Sequence, residues 1–220
     1  MNTISDNLLC LANKVSKYCV GMEGNVSAKN GGELLIKASG TRLSSLTMGD
    51  LIPFDFKGNQ LGKSNKKGSM ELSFHTYLLG FEGINYVAHT HPVNTLKVLC
   101  SNHTHMFATK RLFPDQVVFN GDKSCLVPYA KPGLELTALI KEKVEAFIKT
   151  EGYFPKLILL ESHGVIICGK TVGECVIGTE ICEKSAEIIM ANKGNSKFLS
   201  DSDVKALTED KQEKYRQSLL

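Results

Sequence analysis

The sequence predicts an α/β fold in which helices cover a mixed, largely antiparallel sheet. Segments with strand spacing and segments with helical spacing are interspersed along the 220 residues, with hairpin signals as well as crossovers. A turn at Asn30-Gly31-Gly32 joins two segments of strand character, and the apolar run at 156–169 is interrupted only by Ser162-His163-Gly164. No linker or internal repeat is visible, so we expect residues 1–220 to form a single domain.

Hydrophobic spacing and turn residues predict the elements in chain order. In the first half these are a helix at 5–19, hairpins at 24–40 and around Lys57-Gly58-Asn59, a helix at 70–81, a strand at 84–91 and a helix that begins at Pro92. In the second half these are strands at 115–121 and 124–130, a helix at 132–152, two buried strands at 156–169 and a helix at 171–194. Thr171 is the predicted N-cap of that last helix, and the final 20 residues are charged and favour a helix.

Composition excludes several classes of protein. The net charge of +3 gives no reason to expect a nucleic-acid or membrane partner, since nucleic-acid binders usually carry a clustered basic face. We see no signal peptide, and no apolar run approaches the roughly 20 residues that span a bilayer. The seven cysteines are odd in number and form no C-x-x-C pair, which favours reduced thiols and a cytoplasmic protein.

Two histidines, His89 and His91, lie one residue apart at the end of the apolar strand in VAHTHPV. Side chains two apart on a strand project to the same face, so both imidazoles could bind one metal ion. A catalytic zinc site usually has three protein ligands and one open position. His163 is the best third candidate, because it interrupts a buried apolar run where a polar residue needs a reason. A single such histidine is usually a hydrogen-bonded core residue; the three together favour a metal site.

Other candidates have a competing structural interpretation. His103 and His105 share the same spacing, but their polar context indicates a loop or surface pair. His75 could support a metal site, although a histidine packed in a helix is the more common case. Glu71, at the start of the predicted helix at 70–81, is either a surface charge near the helix dipole or, beside a metal, a ligand or general base.

Two turns offer small residues that could hold an anion through backbone N–H and hydroxyl groups. These are GNVS, which contains Asn25, and ASGTR, which contains Ser39 and Gly40. There is no P-loop and no G-x-G-x-x-G motif. Each turn alone is a weak signal, because such sequences are common.

The ordered motifs GNVS, IKASGTRL, SMELSFH, VAHTHPV and ESHGVIICG resemble the class II aldolase and adducin head family, from about residue 5 to about residue 193. The resemblance implies a three-layer α/β/α fold with a central, largely antiparallel mixed sheet. It implies that His89, His91 and His163 bind Zn²⁺, with Co²⁺ or Mn²⁺ as other metals. Glu71 matches the catalytic acid/base.

The resemblance also implies a phosphate site formed by Asn25, Ser39, Gly40 and Ser69. Many aldolases of the family have two serines before the glutamate, whereas this chain has Met70 at the second position. One hydroxyl donor is therefore lost, and Lys67 or Thr41 is a candidate to replace it. The family's aldolases also use tyrosines; Tyr129 and Tyr215 are the nearest candidates, but their contexts do not match and neither is assigned.

The function implied by the resemblance is that of a zinc-dependent lyase which cleaves a phosphorylated ketose through a metal-stabilised enediolate. Decarboxylation of a 3-oxo-tetronate phosphate and dehydration of a sugar phosphate remain open, since both use a similar metal and glutamate. The family's epimerases typically carry Asp where Glu71 stands, and adducin heads lack the three histidines, so an epimerase and a scaffold are disfavoured. Family members are usually tetramers with the active site between subunits, which implies a homo-oligomer.

Overall fold

A computed structural model describes residues 3–219; positions 1, 2 and 220 of the expected domain lie outside this range. Seven strands within it form one mixed sheet, as predicted. They are β1 (Asn25–Asn30), β2 (Glu33–Lys37), β3 (Leu51–Asp55), β4 (Tyr86–Thr90), β5 (Cys125–Val127), β6 (Leu157–Leu160) and β7 (Gly164–Gly169). Their order across the sheet is β3-β2-β1-β4-β7-β6-β5. Only the β5–β6 pair is parallel.

The described α-helices are interspersed with these strands along the chain, without a regular alternation of helix and strand. They are α1 (Ile4–Val15), α2 (Leu72–Leu79), α3 (Val93–Leu99), α4 (Thr104–Thr109), α5 (Pro114–Asn120), α6 (Leu134–Glu151), α7 (Val172–Ala191), α8 (Asp201–Glu209) and α9 (Lys211–Ser218). The side chain of Thr171 accepts from the backbone N–H of Glu174, which confirms the predicted N-cap of α7. Among these helices, none combines the length and the apolar character that crossing a membrane requires.

Helices cover both faces of the sheet, which gives the expected three layers. Because side chains alternate along a strand, successive residues of one strand belong to different cores. Ala88 of β4 packs in the core under α1, α3, α4 and α7, whereas its neighbour Val87 packs in the core under α2 and α6. Leu35 and Leu34 of β2 divide in the same way. The two cores therefore fix which side chains of β4 point towards α2.

The structure contradicts the predicted strand at 115–121. Residues 115–120 lie in α5, which begins at Pro114 and is followed by Gly121 as its C-cap. Proline suits the first helical turn because no backbone N–H is needed there. Val117 and Val118 are buried, and α5 packs against α7. A short apolar run fits a buried strand or a buried helix equally well, so its secondary structure depends on tertiary packing. The hairpin expected around Gly58 also has only one full strand, β3, because its second arm is reduced to a bridge between Phe54 and Gln60.

Candidate active site

Strand pairing brings Asn25, His89 and His91 together where β1 begins and β4 ends, in the middle of the sheet. β1 and β4 pair so that Asn25 lies opposite His89, and directly opposite residues of an antiparallel pair share a face. His89 alternates with Ala88 and so projects towards α2. There its ring and that of Phe74 are nearly perpendicular, with their centroids 5.7 Å apart. His91 follows the end of β4. The register of β4 and β7, with Thr90 opposite Val165, brings it beside the turn that precedes β7.

That turn, between β6 and β7, carries His163. Its backbone N–H donates to the Leu160 carbonyl, and the Ser162 N–H donates to the Leu99 carbonyl at the end of α3. Ser162 has a φ of 53°, a left-handed conformation that is uncommon outside glycine. This tight, tethered turn directs the imidazole of His163 towards His89 and His91.

The three imidazoles converge although 74 positions separate the first from the last in sequence, counting from 89 to 163. One ring nitrogen from each of His89, His91 and His163 lies within 4.8 Å of the others. The ring centroids of His89 and His163 are 4.9 Å apart, and those of His91 and His163 are 5.1 Å apart. The predicted trio is therefore a spatial cluster with one ligand atom available from each residue.

The protonation states of this cluster fit a bound cation. Burial lowers the pKa of His89 to about 3, with a smaller contribution from His163, and burial likewise lowers the pKa of His91 to about 3. His89 Nδ1 lies 2.9 Å from the Val165 carbonyl and so carries the proton, which leaves Nε2 as a lone pair. That Nε2 is 3.0 Å from Nε2 of His91, whose Nδ1 faces the Glu23 carboxylate at 3.6 Å. If Nδ1 of His91 carries its proton towards Glu23, both Nε2 atoms offer lone pairs to one cation, and such partners on the outer nitrogens are typical of metal-binding histidines.

Glu71 lies immediately before α2 and reaches the histidine cluster. Its Oε2 is 3.4 Å from His89 Nε2, and its Oε1 is 3.6 Å from His163 Nε2. Oε2 accepts a 2.6 Å hydrogen bond from the Asn25 amide, whereas the buried Oε1 has no hydrogen-bond partner. A buried carboxylate oxygen left without a donor is costly unless a ligand or a proton completes it. Oε1 is therefore the oxygen of Glu71 that is left to contact a ligand beside the cluster.

A cavity of about 240 Å³ opens onto Glu71, His91 and His163. All four residues proposed for phosphate, Asn25, Ser39, Gly40 and Ser69, line it. Their donors are partly engaged within the protein. The backbone N–H of Ser39 donates to the Lys67 carbonyl at 2.8 Å, and the hydroxyl oxygen of Ser69 accepts from Asn25 and from the backbone N–H of Glu71.

Sequence reasoning missed Lys37, the last residue of β2, which also lines the cavity. It is only 3% exposed, and its ammonium donates to the Met22 carbonyl at 3.3 Å. Burial lowers the pKa of Lys37, while the negative charges of Glu71 and Asp50 oppose that effect. The sequence ELLIK places this lysine at the end of an apolar strand but does not reveal its burial, which is unusual for a lysine without a function or a partner.

Comparison with known proteins shows the family to which this chain belongs. The sequence profile described as Class II Aldolase and Adducin N-terminal domain matches residues 9–190, most of the chain. This protein belongs to the class II aldolase and adducin family. The resemblance carried by the five motifs is thus confirmed, and so is the α/β fold that it implies.

Two relatives of this family member differ in the reaction that their names describe. An L-fuculose phosphate aldolase from Methanococcus maripaludis is 31% identical over 182 residues, which cover 81% of this chain and 91% of that protein. A 3-oxo-tetronate 4-phosphate decarboxylase from Escherichia coli is 27% identical over 193 residues, 87% of this chain and 84% of that protein. A solved L-fuculose 1-phosphate aldolase shares the fold with a TM-score of 0.77 at 17% identity, covering 98% of both chains.

The remaining candidates of this class II aldolase family member lie outside the cluster or behind it. His103 immediately precedes α4, and His105 lies on that helix with its side chain exposed. Of the two expectations for this pair, His105 fits the surface position and not the loop. The Thr41 hydroxyl donates to the Ala38 carbonyl, and Lys67 is exposed. The side chains of Tyr129 and Tyr215 are exposed. His75 is fully buried and bonds to Ser27 and to Asn25.

Proposed function

We propose that this protein is a divalent-metal-dependent lyase, with zinc as the first candidate metal, that cleaves a phosphorylated ketose by aldol chemistry. The observation that carries the proposal is the placement of Glu71. One of its buried carboxylate oxygens has no hydrogen-bond partner and lies 3.6 Å from Nε2 of His163, beside a three-histidine cluster of which His91 and His163 line a cavity. An acid/base group beside a metal site is the arrangement that carbon–carbon cleavage next to a carbonyl requires.

His89, His91 and His163 would hold the metal. When bound, a divalent cation supplies Lewis-acid stabilisation of the negative charge that cleavage leaves on the substrate's oxygens. The neutral imidazoles leave the positive charge of the cation undiminished. Backbone and carboxylate partners on His89 and His91, the Val165 carbonyl and Glu23, keep the rings oriented.

Glu71 would move the proton at the carbon from which the bond is broken. Its Oε2 is held by Asn25, so the free oxygen Oε1 is the atom that accepts and returns the proton. Because Oε1 is buried, water competes weakly for it. Glu71, His91 and His163 line the same cavity, so the proton transfer and the charge stabilisation would occur on one bound substrate.

The substrate's phosphate would bind at the end of the cavity formed by Lys37, Ser39, Gly40 and Ser69. Lys37 would supply positive charge there, and its ammonium would replace the hydroxyl donor for which Lys67 and Thr41 were the candidates. A buried ammonium that donates to only one carbonyl has donors left for a phosphate oxygen. The hydroxyls of Ser39 and Ser69 provide neutral donors beside it.

Turnover with a panel of phosphorylated ketoses, with zinc, cobalt or manganese added, tests the proposal. Glu71→Gln should keep the metal and lose about 10²- to 10⁴-fold in kcat, the usual contribution of a general acid or base. His163→Ala should lose both metal affinity and activity, whereas the exposed control His105→Ala should lose neither. Full activity of either Glu71→Gln or His163→Ala would remove the proposed roles.

Decarboxylation of a 3-oxo acid phosphate is the alternative reaction. The 27% identity to a 3-oxo-tetronate 4-phosphate decarboxylase over 87% of the chain favours it as the second candidate. Loss of carbon dioxide leaves the same kind of charge on the substrate and needs the same metal and proton donor. Release of carbon dioxide, in place of a pair of carbonyl fragments, would identify it.

We also propose that the protein is a homo-oligomer, with a tetramer implied by family resemblance. Apolar side chains are exposed at the cavity and near it: Met22 is 59% exposed, Met70 77% and Leu134 78%. Burial of such a group of side chains against a second copy would stabilise an assembly. Size-exclusion chromatography with light scattering measures the mass of the assembly. A monomer at micromolar concentration would refute the proposed homo-oligomer.

A further inference from the structure

A chain of polar side chains leads from Glu71 through Asn25, which lines the cavity, to His75 and Ser27, which do not. The Ser27 hydroxyl oxygen lies 2.6 Å from Nδ1 of His75, and the other ring nitrogen, Nε2, contacts Oδ1 of Asn25. Nδ2 of Asn25 in turn lies 2.6 Å from Oε2 of Glu71 and 3.2 Å from the hydroxyl oxygen of Ser69. Ser27 and His75 are fully buried, so water does not compete for these bonds.

The donor and acceptor capacity of each group fixes the direction of every bond in this chain. The Glu71 carboxylate only accepts, so the NH₂ group of Asn25 must face it. The carbonyl Oδ1 of Asn25 then faces His75, and Nε2 of the ring must carry the proton. A neutral imidazole has one N–H and one lone pair, so Nδ1 accepts from the Ser27 hydroxyl. His75 is therefore the Nε2–H tautomer.

The ring itself has little freedom to leave this position. Phe74 stacks on it at a centroid distance of 4.6 Å and an interplanar angle of 23°. β1 supplies both Ser27 and Asn25, two residues apart on the same face of the strand, so the two partners of the ring are fixed by one backbone segment. The position of the ring is thus set by packing, and its tautomer by the hydrogen-bond partners.

We infer that Ser27 and His75 are positioning residues that hold the Asn25 amide with its NH₂ group towards Glu71, and thereby keep Oε1 of Glu71 beside His163. This inference rests on the proposed function for its kinetic consequence. The two ends of an asparagine amide have nearly the same shape, so packing alone does not prevent a 180° flip. A flipped amide would place Oδ1 opposite Oε2, two acceptors at hydrogen-bond distance, and the carboxylate would turn away. The proton on Nε2 of His75 prevents that flip.

The test combines the His75 tautomer with kinetics of Ser27→Ala. Nitrogen-15 NMR of the imidazoles reports which ring nitrogen carries the proton, and His75→Gln identifies the His75 signals by their loss. The wild-type ring should be protonated on Nε2. Without the Ser27 donor, the proton should be shared between the two nitrogens. kcat should then fall about tenfold to a hundredfold, the range for one hydrogen bond to a charged group, while KM and zinc affinity change less than about threefold.

Ser185→Ala is the matched control. Ser185 is also fully buried, and its hydroxyl donates to the Ile181 carbonyl within α7, so the variant removes a buried hydroxyl outside the chain of bonds described above. It should leave the His75 tautomer and kcat unchanged. Ser27→Thr, which keeps the hydroxyl, should restore the single tautomer and most of kcat. A control that loses as much kcat as Ser27→Ala would assign the effect to general destabilisation and overturn the inference.

The NMR measurement separates this inference from the proposed reaction. A wild-type ring protonated on Nδ1, or one unchanged in Ser27→Ala, overturns the inference whether or not the protein turns over a ketose phosphate. If no substrate is cleaved, the proposed function fails. A switch from the Nε2–H form to a mixture in Ser27→Ala would then still support the orienting role of Ser27 and His75.

Discussion

Gly164 leaves the space that the ring of His91 occupies. A Cβ added at Gly164 would lie 2.6 Å from Cδ2 of His91 and 2.6 Å from the Thr90 carbonyl oxygen. Gly164 opens β7 directly after His163, so the strand that follows one proposed ligand makes room for another. Only a residue without a side chain permits this approach of β7 to β4.

Gly164→Ala should therefore weaken zinc binding by displacing His91. We expect a loss of about tenfold or more in affinity, in the range seen when the groups that orient metal ligands are changed. The free energy of unfolding should fall by about 1–3 kcal/mol, the usual cost of overpacking. Titration with a zinc chelator and urea denaturation measure the two effects. Gly32→Ala is the control, because its added Cβ meets no atom within 4 Å; equal affinities in the two variants would contradict the prediction.

Glu183→Ala should destabilise the start of α3. The Glu183 carboxylate, from α7, accepts from the backbone N–H of Asn94 at 3.0 Å, from that of Thr95 at 2.8 Å and from the Thr95 hydroxyl at 2.9 Å. It thus caps the helix that follows His91. We expect a loss of about 1–3 kcal/mol in the free energy of unfolding, together with weaker zinc binding.

The control for Glu183→Ala is Glu180→Ala, also in α7. Glu180 forms an exposed ion pair with Lys17 at 3.0 Å, and exposed pairs contribute at most about 1 kcal/mol. Urea denaturation of both variants gives the comparison. If both variants lose the same free energy of unfolding, the cap contributes no more than an exposed ion pair does.

Lys37→Met should impair binding of phosphorylated substrates specifically. Removing the buried ammonium from the cavity deletes a charge-assisted hydrogen bond to the phosphate, so KM should rise about tenfold to a hundredfold. Inhibition by inorganic phosphate should weaken by a similar factor, while zinc affinity stays the same. Lys67→Met, at an exposed lysine, is the control. An unchanged phosphate inhibition constant in Lys37→Met would place the phosphate elsewhere.

The metal-free protein should lose stability as the pH falls below the usual histidine range. Burial lowers the folded-state pKa of both His89 and His91 to about 3, whereas an unfolded histidine has a pKa of about 6.5. Between these values the unfolded state binds more protons, so acid favours unfolding. Each residue contributes up to about 1.4 kcal/mol per pH unit in this window.

Urea denaturation of chelator-treated protein between about pH 7 and about pH 5 measures this slope, above the range where most carboxyl groups titrate. His105→Asn, which removes an exposed histidine, should keep the slope. A free energy of unfolding that is flat over this interval would show that the histidines are accessible to protons in the folded state.

Much of the candidate site was predictable because its residues carry local signals. His89 and His91 stand two apart on a strand, and alternation along a strand needs no tertiary information. His163 interrupts a buried apolar run, and Glu71 precedes a helix. The order of five short motifs led to the family, which the profile match over residues 9–190 confirms.

Other residues carry no local signal of their function. In sequence, Lys37 ends a strand and resembles any lysine whose ammonium reaches the surface. Only the folded structure shows that its ammonium instead donates to the Met22 carbonyl. His75 has helical spacing, and only the pairing of α2 with β1 reveals its contacts with Ser27 and Asn25. The segment at 115–121 shows the same limit for secondary structure, because packing against α7 made it a helix.

The sequence by itself determined the α/β class, most helix and strand positions, the histidines and glutamate of the candidate site, and the family. These follow from the periodicity of side chains and from motifs that lie within a few residues of one another. Tertiary structure decided how the pieces meet: the convergence of His163 on His89 and His91, the burial of Lys37 and the bonds of His75. Such contacts join residues far apart in the chain, and their geometry depends on strand register and helix packing, which one segment alone does not specify.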